Sequence, residues 1–435
     1  MTSVFDEFTW RGMVYDATPG AAAALAREKV TAYNGFDPSA KSLHVGNLVP
    51  IMGLVHLQRH GHSPIAIVGG GTGVVGDPGG REAERALLSR EQIEENVEGI
   101  RAQLEPFLDF RAKANPARLI DNANWLGEVR LLDFLRDTGK HFTLNYMLAK
   151  ESVRSRLDRE AGMSFAEFSY MLLQAYDFLV LYERYGCTFQ MGGSDQWGNI
   201  LAGVDLIRRL HGPPPGVEGE GASRAHAVVY PLITAASGEK FGKSVGGAPT
   251  LDPEDTSPYR LYQFFLNTED RDVVSYLKLF TLLDREQIGG LERAVAEEPA
   301  GREAQRRLAE DVTRRVHGEE GLSRAKRATE FLFGRGGALP SADDLEDILA
   351  DAPSSEMPRL LFTGGGVALT AVISDAGMCS SAGEARRLVT QGGIYLNEVR
   401  VDDPRRKVGV ADAVEGRLLV LRRGAKSYHL VRLVE

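Results

Sequence analysis

The chain has very few cysteines and no long apolar run. Among its 435 residues, Cys187 and Cys379 are the only cysteines. This count excludes a disulfide-stapled scaffold and a cysteine-rich zinc site, and it suits a reducing compartment. No uninterrupted apolar run reaches the roughly 18 residues that a membrane helix needs. Residues 1–11 lack the basic and then apolar pattern of a signal peptide. We therefore expect a soluble cytoplasmic protein that does not interact with membranes.

The charge is unevenly distributed along the chain. The whole sequence carries a formal charge of −9, but residues 366–435 contain 11 Lys or Arg against 8 Asp or Glu. The C-terminal segment is therefore +3 and the remainder −12. A basic appendage on an acidic body indicates nucleic-acid contact, although an ordinary solvated surface explains the same charges equally well.

A strand–helix–strand unit opens the larger part of the chain. Residues 31–36 and 63–68 read as strands, and the apolar spacing between them predicts a helix over 46–60. Such a unit implies a parallel sheet, whose ligands bind at the carboxyl ends of its strands. A Gly-x-Gly-x-x-Gly pattern over 71–76 follows the second strand. It lacks a defined acidic partner about 20 residues later, so it is a weak dinucleotide signal.

The rest of the chain divides by pattern. Residues from about 90 to 186 read as mostly helical, strands are predicted at 187–191 and 228–234, and a helix at 199–210. We predict a Rossmann-like α/β domain over 1–250 with a helical insertion at about 106–186. An α-helical domain would follow at 251–350, then a linker at 351–366 and a small α+β domain at 367–435, with a helix at 383–390 and strands near 394–396 and 418–421.

The predicted helix 164–185 is apolar almost all round, which indicates a buried helix. Ser164 and Glu167 have the spacing of an N-terminal capping box. Tyr170, Gln174 and Asp177 nevertheless lie on one face, where a buried carboxylate and amide need hydrogen-bonding partners. Those partners are either other protein groups or a small ligand with an amine or hydroxyl.

Two short motifs about 200 residues apart indicate polyphosphate chemistry. The His-Val-Gly-Asn sequence at 44–47, here called the His44 turn, opens a helix after a strand; its histidine can donate to phosphate oxygens and its glycine lets a base approach the backbone. The Lys-Phe-Gly-Lys-Ser sequence at 240–244, here called the lysine loop, carries two cations around a glycine. Asp77, after a glycine-rich loop, is either a solvated turn residue or a counter-charge for an ammonium.

Together these motifs resemble those of the bacterial tyrosyl-tRNA synthetases, which are class I aminoacyl-tRNA synthetases. The resemblance covers nearly the whole chain. The matching stretches are 33–38, the His44 turn, 76–78, the helix with Tyr170, Gln174 and Asp177, 190–199, the lysine loop, 251–253 and 257–259.

The resemblance implies a role for each matching residue. The residues implied to bind tyrosine are Tyr33 and Asp177 at the phenolic hydroxyl, Asp77, Tyr170 and Gln174 at the ammonium, and Asp37, Gln190 and Gln196 along the pocket. Those implied to bind ATP are His44, Gly46, Asn47, Gly193, Asp195, Leu232, Ile233, Lys240, Lys243 and Ser244. Those implied to act in catalysis are His44, Asn47, Lys240, Lys243, Arg81 and Arg85, with the lysines on the leaving pyrophosphate.

The resemblance also implies partners and a division of labour. ATP would arrive with Mg²⁺, with no metal bound by the protein itself, and the chain would act as a homodimer on tRNA(Tyr). The helical region would contact the anticodon arm, and the C-terminal domain resembles a small RNA-binding module. Its candidate phosphate contacts are Arg386, Arg387, Arg405, Arg406, Lys407, Arg422, Arg423 and Lys426.

Two departures from the family pattern and several alternatives remain at this point. Asn47 replaces the usual second histidine, and it can bond but not titrate. Phe241-Gly242 replaces the Met-Ser of many class I relatives. A tryptophanyl-tRNA synthetase would share the fold but lack the pair Tyr33 and Asp177. A small nucleotidyltransferase would not need the C-terminal regions, and a non-catalytic RNA-binding relative would not need the lysine loop.

Overall fold

The computed structural model describes most of the chain, and it divides that chain into two compact units. The first unit comprises Met1–Thr256 and Phe264–Val316, and the second comprises Ser257–Gln263 and His317–Glu435. The described residues are 3–77, 88–150, 153–154, 157, 163–213, 223–233, 241, 248–333, 339–350, 352–424 and 427–435.

A six-stranded sheet forms the centre of the first unit. Its strands are β1 (Asp16–Ala17), β2 (Thr31–Phe36), β3 (Ser63–Val68), β4 (Arg118–Asp121), β5 (Cys187–Gly193) and β6 (His226–Tyr230). Their order is β1-β6-β5-β2-β3-β4, and only β1 is antiparallel to its neighbour. The chain runs outward in both directions from β2, so the carboxyl ends of β2 and β5 meet at a topological switch point. This arrangement confirms the Rossmann-like α/β prediction.

The described helices that belong wholly or partly to the first unit follow in chain order. They are α1 (Val4–Arg11), α2 (Ala21–Arg27), α3 (Leu48–Arg59), α4 (Arg90–Leu104), α5 (Ala123–Leu126), α6 (Leu131–Asp137), α7 (Leu144–Leu148), α8 (Phe165–Tyr185), α9 (Trp197–His211), α10 (Pro258–Leu266), α11 (Asp270–Phe280), α12 (Arg285–Glu297) and α13 (Glu303–Phe333). Residues of α10 and α13 belong to both units, and Gly318 (φ 73°) interrupts α13. Within the described residues, no helix is both long and apolar enough to cross a membrane.

Helix α8 forms as its sequence predicts. The Ser164 hydroxyl accepts a hydrogen bond from the Glu167 N–H, and Gly186 ends the helix in the left-handed conformation (φ 61°) that glycine adopts without strain. Apolar residues from most sides of α8 are buried in a core shared with β2, β5 and α9. The polar residues that remain on α8 are therefore held rigidly.

Two strand predictions in this unit need correction. Strand β4 lies inside the region 90–186 that reads as helical, because its four residues are too short to show an alternating pattern. Strand β6 begins at His226 and ends at Tyr230, so it is shifted from the predicted 228–234. Both differences matter for the active site, because predicted site residues or their partners follow the ends of these two strands.

The second unit contains a separate sheet with its own core. Strands β7 (Ser354–Pro358), β9 (Ile394–Leu396), β10 (Val399–Val401), β12 (Leu418–Arg423) and β13 (Ser427–Val434) pair in the order β10-β9-β12-β13-β7, while β8 (Val367–Ala368) pairs with β11 (Lys407–Val408). Its helices include α14 (Ala342–Ile348), α15 (Leu369–Asp375) and α16 (Ala382–Thr390). Strand β7 lies within 351–366, the segment predicted as a linker, and pairs in parallel with β13. Proline and serine around this strand hide it in the sequence.

Candidate active site

Polar residues collect where the parallel strands of the first unit end. Asp37 follows β2, the glycines 69–71 follow β3, Asn122 follows β4 and Asp195 follows β5. The carboxyl ends of parallel strands lie at one edge of the sheet, so these residues border one region. Helix α8 contributes its polar face to the same region, where Tyr170 donates to Asp37 and Asp177 accepts from Asn122.

Asp177 lies at the centre of a buried hydrogen-bond network. Its Oδ2 accepts from Asn122 Nδ2 at 2.9 Å, and its Oδ1 accepts from the Trp125 indole N–H at 2.7 Å. The residue is only 4% exposed. Burial raises the pKa of its carboxyl from 3.8 to about 7, although the bonds from Asn122 and Trp125 act in the opposite direction.

Asn122 connects Asp177 to the glycine loop after β3. Its Oδ1 accepts from the Gly71 N–H at 2.7 Å, and its Nδ2 also donates to Thr72 Oγ1 at 2.9 Å. Neither Asn122 nor Trp125 was predicted as a site residue, because β4 was not recognised. The available signal was the buried aspartate itself, which requires donors.

Tyr33 and Gln190 lie side by side on neighbouring strands. They are register partners in β2 and β5, and the Tyr33 ring packs against Phe178 with a centroid distance of 5.3 Å. Tyr33 is 2% exposed. Within the part of the chain that the structure describes, its hydroxyl and the Gln190 Oε1 are buried without a hydrogen-bond partner. Buried polar atoms of this kind suit a ligand that supplies the missing bonds.

Tyr170 lies among carboxylates. Its hydroxyl donates to Asp37 Oδ1 at 3.1 Å. Burial raises its pKa well above 10, and the charges of Asp37, Asp77 and Asp177 add to that effect. The clustering of carboxylates around one buried phenol produces a negative potential, which favours a cationic group such as an ammonium.

A chain of amides continues from this cluster. Gln196 Nε2 donates to Asp77 Oδ2 at 2.5 Å, and Asn199 Nδ2 donates to Gln174 Oε1 at 3.0 Å and to Gln196 Oε1 at 3.4 Å. Because Asn199 donates to both carbonyl oxygens, it orients both glutamine amides. The structure therefore brings together all eight residues that the resemblance implies for tyrosine.

The His44 turn has a defined hydrogen-bond pattern. His44 Nδ1 accepts from the Gly46 N–H at 3.0 Å, and Asn47 Oδ1 accepts from the His44 N–H at 3.0 Å. Desolvation lowers the His44 pKa, which favours the neutral imidazole, and the bond accepted by Nδ1 leaves Nε2 as the donor of that form. Asn47 uses its oxygen for the turn and keeps its NH₂ group as a donor. Loss of a titrating histidine at this position therefore leaves the turn intact.

The ends of β5 and β6 supply the remaining predicted nucleotide contacts. A Cβ built on Gly193 would lie 2.5 Å from Asp195 Oδ1, so a larger residue there would require the Asp195 carboxylate to move. Burial and the nearby Asp77 raise the Asp195 pKa. Leu232 exposes its apolar side chain, and the Ile233 carbonyl accepts from the Phe241 N–H at 3.1 Å.

Several predicted site residues lie outside the described residues. They are Arg81, Arg85, Lys240, Lys243, Ser244 and Lys426. The segment after the lysine loop is described, and it pairs with the His44 turn. Val45 N–H donates to the Pro249 carbonyl at 2.9 Å, and Leu251 N–H donates to the Leu43 carbonyl at 2.7 Å.

The predicted RNA contacts of the second unit differ in their surroundings. Arg386, Arg387, Arg405 and Lys407 are exposed. Three other predicted contacts have intramolecular partners. Arg406 pairs with Asp412, Arg423 pairs with Glu384, and Arg422 contacts both Glu398 and the ring of Tyr395. The Arg422 guanidinium lies 3.7 Å from the Tyr395 ring centroid and 2.7 Å from Glu398, which is a packing role.

The model of the family "tRNA synthetases class I (W and Y)" matches residues 25–334 of this chain. This chain belongs to the class I tRNA synthetases. A second model, the "Tyrosine--tRNA ligase SYY-like C-terminal domain", matches residues 344–431. The fold and family expected from the sequence motifs are thus confirmed.

This class I synthetase is similar over its full length to bacterial proteins named tyrosine–tRNA ligase. It is 52% identical to that of Roseiflexus castenholzii, covering 100% of both chains. It is 47% identical to that of Geobacillus stearothermophilus, covering 98% of both. The C-terminally truncated mitochondrial tyrosyl-tRNA synthetase of Aspergillus nidulans is 30% identical with a TM-score of 0.68, covering 77% of this chain and 95% of that one.

A more distant structure shows the fold alone. It is the tyrosyl-tRNA synthetase of Archaeoglobus fulgidus complexed with L-tyrosine, which is 15% identical with a TM-score of 0.52 and covers 73% of this chain and 99% of that one. In the described part of this synthetase, no cluster of three or more His, Cys, Asp or Glu residues could hold a metal ion. The individual roles that the resemblance implies for the site residues stay predictions.

Proposed function

We propose that this class I synthetase is a tyrosine–tRNA ligase. It activates L-tyrosine with ATP, releases pyrophosphate and transfers tyrosine to the 3′ end of tRNA(Tyr). The relatives named tyrosine–tRNA ligase, which match the chain from end to end, support this activity. Tyrosine is the proposed amino acid because Tyr33 and Asp177 place two buried polar side chains together.

The phenol is read by these two side chains. Asp177 is held by Asn122 and Trp125, and each of its oxygens retains a further lone pair for the substrate hydroxyl. Tyr33 supplies a second polar group whose bonding capacity is unused within the described residues. Phenylalanine would enter the pocket but leave the Tyr33 hydroxyl and the remaining lone pairs of Asp177 without a partner, so it is rejected.

The ammonium binds in the negative cluster beyond the phenol site. Asp77, Tyr170 and Gln174 would surround it, and the Gln174 oxygen is oriented by Asn199. Asp37 and Gln196 keep Tyr170 and Asp77 in place through their hydrogen bonds. The carboxylate of the substrate is then left to face the nucleotide.

ATP binds over the His44 turn, where chemistry is mainly a matter of positioning and charge. The substrate carboxylate attacks the α-phosphorus and the bond to pyrophosphate breaks. His44 and Asn47 would donate hydrogen bonds to phosphate or ribose oxygens, with Gly46 beneath adenine. Lys240 and Lys243, assisted by Arg81 and Arg85, would neutralise the charge of the departing pyrophosphate. ATP enters as its Mg²⁺ complex, which offsets part of that charge.

The deciding experiment is amino-acid-dependent ATP–pyrophosphate exchange. Tyrosine should support exchange, while tryptophan and phenylalanine should support little or none. Exchange with tryptophan alone would overturn the proposal in favour of a tryptophanyl ligase, and no exchange with any amino acid would favour a non-catalytic RNA-binding protein.

The lysine loop has a separate test. Lys243→Ala should lower the rate constant of adenylate formation far more than it weakens tyrosine binding, because its contact forms in the transition state. Stopped-flow measurement gives the rate constant, and equilibrium titration gives tyrosine affinity. A large loss of affinity with an unchanged rate constant would refute this role.

The second unit is proposed to bind tRNA. Exposed Arg386 and Arg387 on α16 are the clearest candidates for phosphate contacts. Deleting residues 367–435 would separate β7 from its partner β13, so substitution is the better test. Arg386→Ala with Arg387→Ala should spare pyrophosphate exchange and reduce tRNA charging, with a smaller effect at high salt. Equal loss of both activities would contradict this division.

The chain is proposed to form a homodimer whose interface lies on the first unit. Its proposed location is the cytoplasm. Large apolar side chains on α6 and at the start of α8 are exposed, including Leu132 at 78% and Phe165 at 79%. Exposed apolar groups of this size commonly mark interfaces. Phe165→Asp should shift the sedimentation coefficient to that of a monomer. The matched control is Leu360→Asp, since Leu360 is 80% exposed in the second unit; a dimer that survives Phe165→Asp but not the control would refute the assignment.

A further inference from the structure

One aromatic side chain of the lysine loop is described, and the chemistry above does not use it. Phe241 packs among four rings of α10 and α11, here called the aromatic cage. The centroid distances from Phe241 are 5.5 Å to Phe264, 6.3 Å to Phe265, 4.9 Å to Tyr276 and 5.3 Å to Phe280.

The cage is a packed cluster in its own right. Phe264 and Phe265 lie 5.1 Å apart, Phe265 and Phe280 5.7 Å, and Tyr276 and Phe280 5.6 Å. Phe265, Tyr276 and Phe280 are buried. Phe241 stacks on Phe280 with an interplanar angle of 23° and meets Tyr276 edge-on at 72°. Both geometries are favourable for aromatic pairs, so the ring is held in a defined place.

Main-chain bonds tie the described residues on either side of 242–247. The Phe241 N–H donates to the Ile233 carbonyl at 3.1 Å. Further along, the Pro249 carbonyl accepts from Val45 N–H at 2.9 Å, and Thr250 forms a bridge with His44. The chain is therefore held at residue 241 by the Ile233 carbonyl and the aromatic cage, and at residues 249–250 by the His44 turn.

We propose that Phe241 is a positioning residue for the two lysines beside it, an inference that rests on the proposed function. Consecutive Cα atoms are 3.8 Å apart, so fixing residue 241 limits the positions open to Lys240, one residue before, and Lys243, two residues after. Lysine has a long flexible stem and loses rotamer freedom when its ammonium is held at one place. Fixing the main chain at residue 241 reduces what remains to be ordered when the phosphates are bound.

The alternative is that Phe241 only fills a hydrophobic cluster. In that case its removal lowers stability and leaves the rate of adenylate formation in the folded enzyme unchanged. The positioning role requires a slower reaction in enzyme that is fully folded. The two roles therefore differ in a quantity that can be measured directly.

The experiment measures adenylate formation in the full-length enzyme by rapid mixing at saturating tyrosine and ATP. Phe241→Ala should lower the rate constant by about 10-fold to 100-fold, the range expected when catalytic groups are displaced by about 1 Å. The tyrosine Kd, measured without ATP, should stay within about 2-fold of wild type, because the tyrosine pocket does not include the cage. Phe241→Leu, which keeps apolar bulk, should be intermediate.

Three further variants separate positioning from general damage. Phe280→Leu removes the stacking partner and should slow the reaction with Phe241 intact. Phe331→Leu removes a buried ring from the second unit and should leave the rate constant unchanged. Phe241→Ala combined with Lys243→Ala should cost less than the product of the two separate losses, since the ring acts through the lysines.

The results that would overturn the inference are specific. They are a wild-type rate constant in folded Phe241→Ala, or losses that multiply independently in the double variant. If Phe241→Ala does not fold, the same criteria apply to Phe241→Leu. Failure of the proposed function would appear differently, as wild-type enzyme without tyrosine-dependent exchange.

Discussion

Removal of the Tyr33 hydroxyl should move stability and substrate affinity in opposite directions. In Tyr33→Phe the ring and its contact with Phe178 remain, while a buried hydroxyl without a partner among the described residues is lost. A buried unpaired polar group costs about 1–3 kcal/mol. The free energy of unfolding of the unliganded enzyme should therefore stay the same or rise by about 1 kcal/mol.

Tyrosine binding should weaken in the same variant. A neutral hydrogen bond contributes about 0.5–1.5 kcal/mol, so the tyrosine Kd should rise by about 2-fold to 13-fold, and phenylalanine binding should change little. Urea unfolding measures the first effect, and titration of intrinsic fluorescence measures the second. Tyr230→Phe is the matched control, because that buried hydroxyl donates to Met191 Sδ at 3.6 Å and should not alter the tyrosine Kd. A destabilised Tyr33→Phe with unchanged tyrosine affinity would show that the hydroxyl has a structural partner and does not bind the substrate.

Three other predictions follow from single contacts. The Asp177 pKa is raised from 3.8 to about 7, so the folded state binds the proton of this carboxyl more tightly than the unfolded state does. The contribution of Asp177 to the free energy of unfolding therefore falls as the pH rises from about 4 to about 7. Urea unfolding at pH 5 and pH 8 should show this fall in the wild type and less of it in Asp177→Asn. Gly53→Ala would place its methyl against the Tyr230 hydroxyl and should lower the free energy of unfolding by about 1–3 kcal/mol, with partial recovery in Tyr230→Phe. Gly46→Ala would place a Cβ 2.7 Å from His44 Cε1, displace the imidazole and raise the KM for ATP in the exchange assay while leaving the tyrosine Kd unchanged.

Local patterns predicted some elements to the residue. Strands β2 and β3 begin and end at the residues predicted from the apolar runs and the glycine and proline residues that bound them. Helix α8 begins directly after its capping serine. These elements depend on short-range spacing and capping, which the chain carries in consecutive residues. Strand β4 was missed because a four-residue strand is identified by its pairing with β3 and not by its own composition.

The candidate active site also combines features that the local sequence predicts with features that depend on distant residues. A carboxylate on a buried helix must have donors, and this requirement was visible at Asp177. Its donors, Asn122 and Trp125, are 55 and 52 residues away in the chain, so nothing in the neighbourhood of Asp177 identifies them. In the second unit Arg422 looked like a phosphate contact, but the partners that occupy it, Glu398 and Tyr395, come from a different hairpin.

The sequence by itself determined the fold class and the family, and it supplied the predicted residues of the tyrosine and nucleotide sites, because periodicity, capping and motif order are properties of the linear chain. Only the tertiary structure decided which groups share hydrogen bonds, which buried polar atoms lack a partner among the described residues, and that Phe241 lies within an aromatic cage. These features depend on contacts between residues far apart in the chain, and such contacts arise when the sheet edge, α8 and α11 have packed.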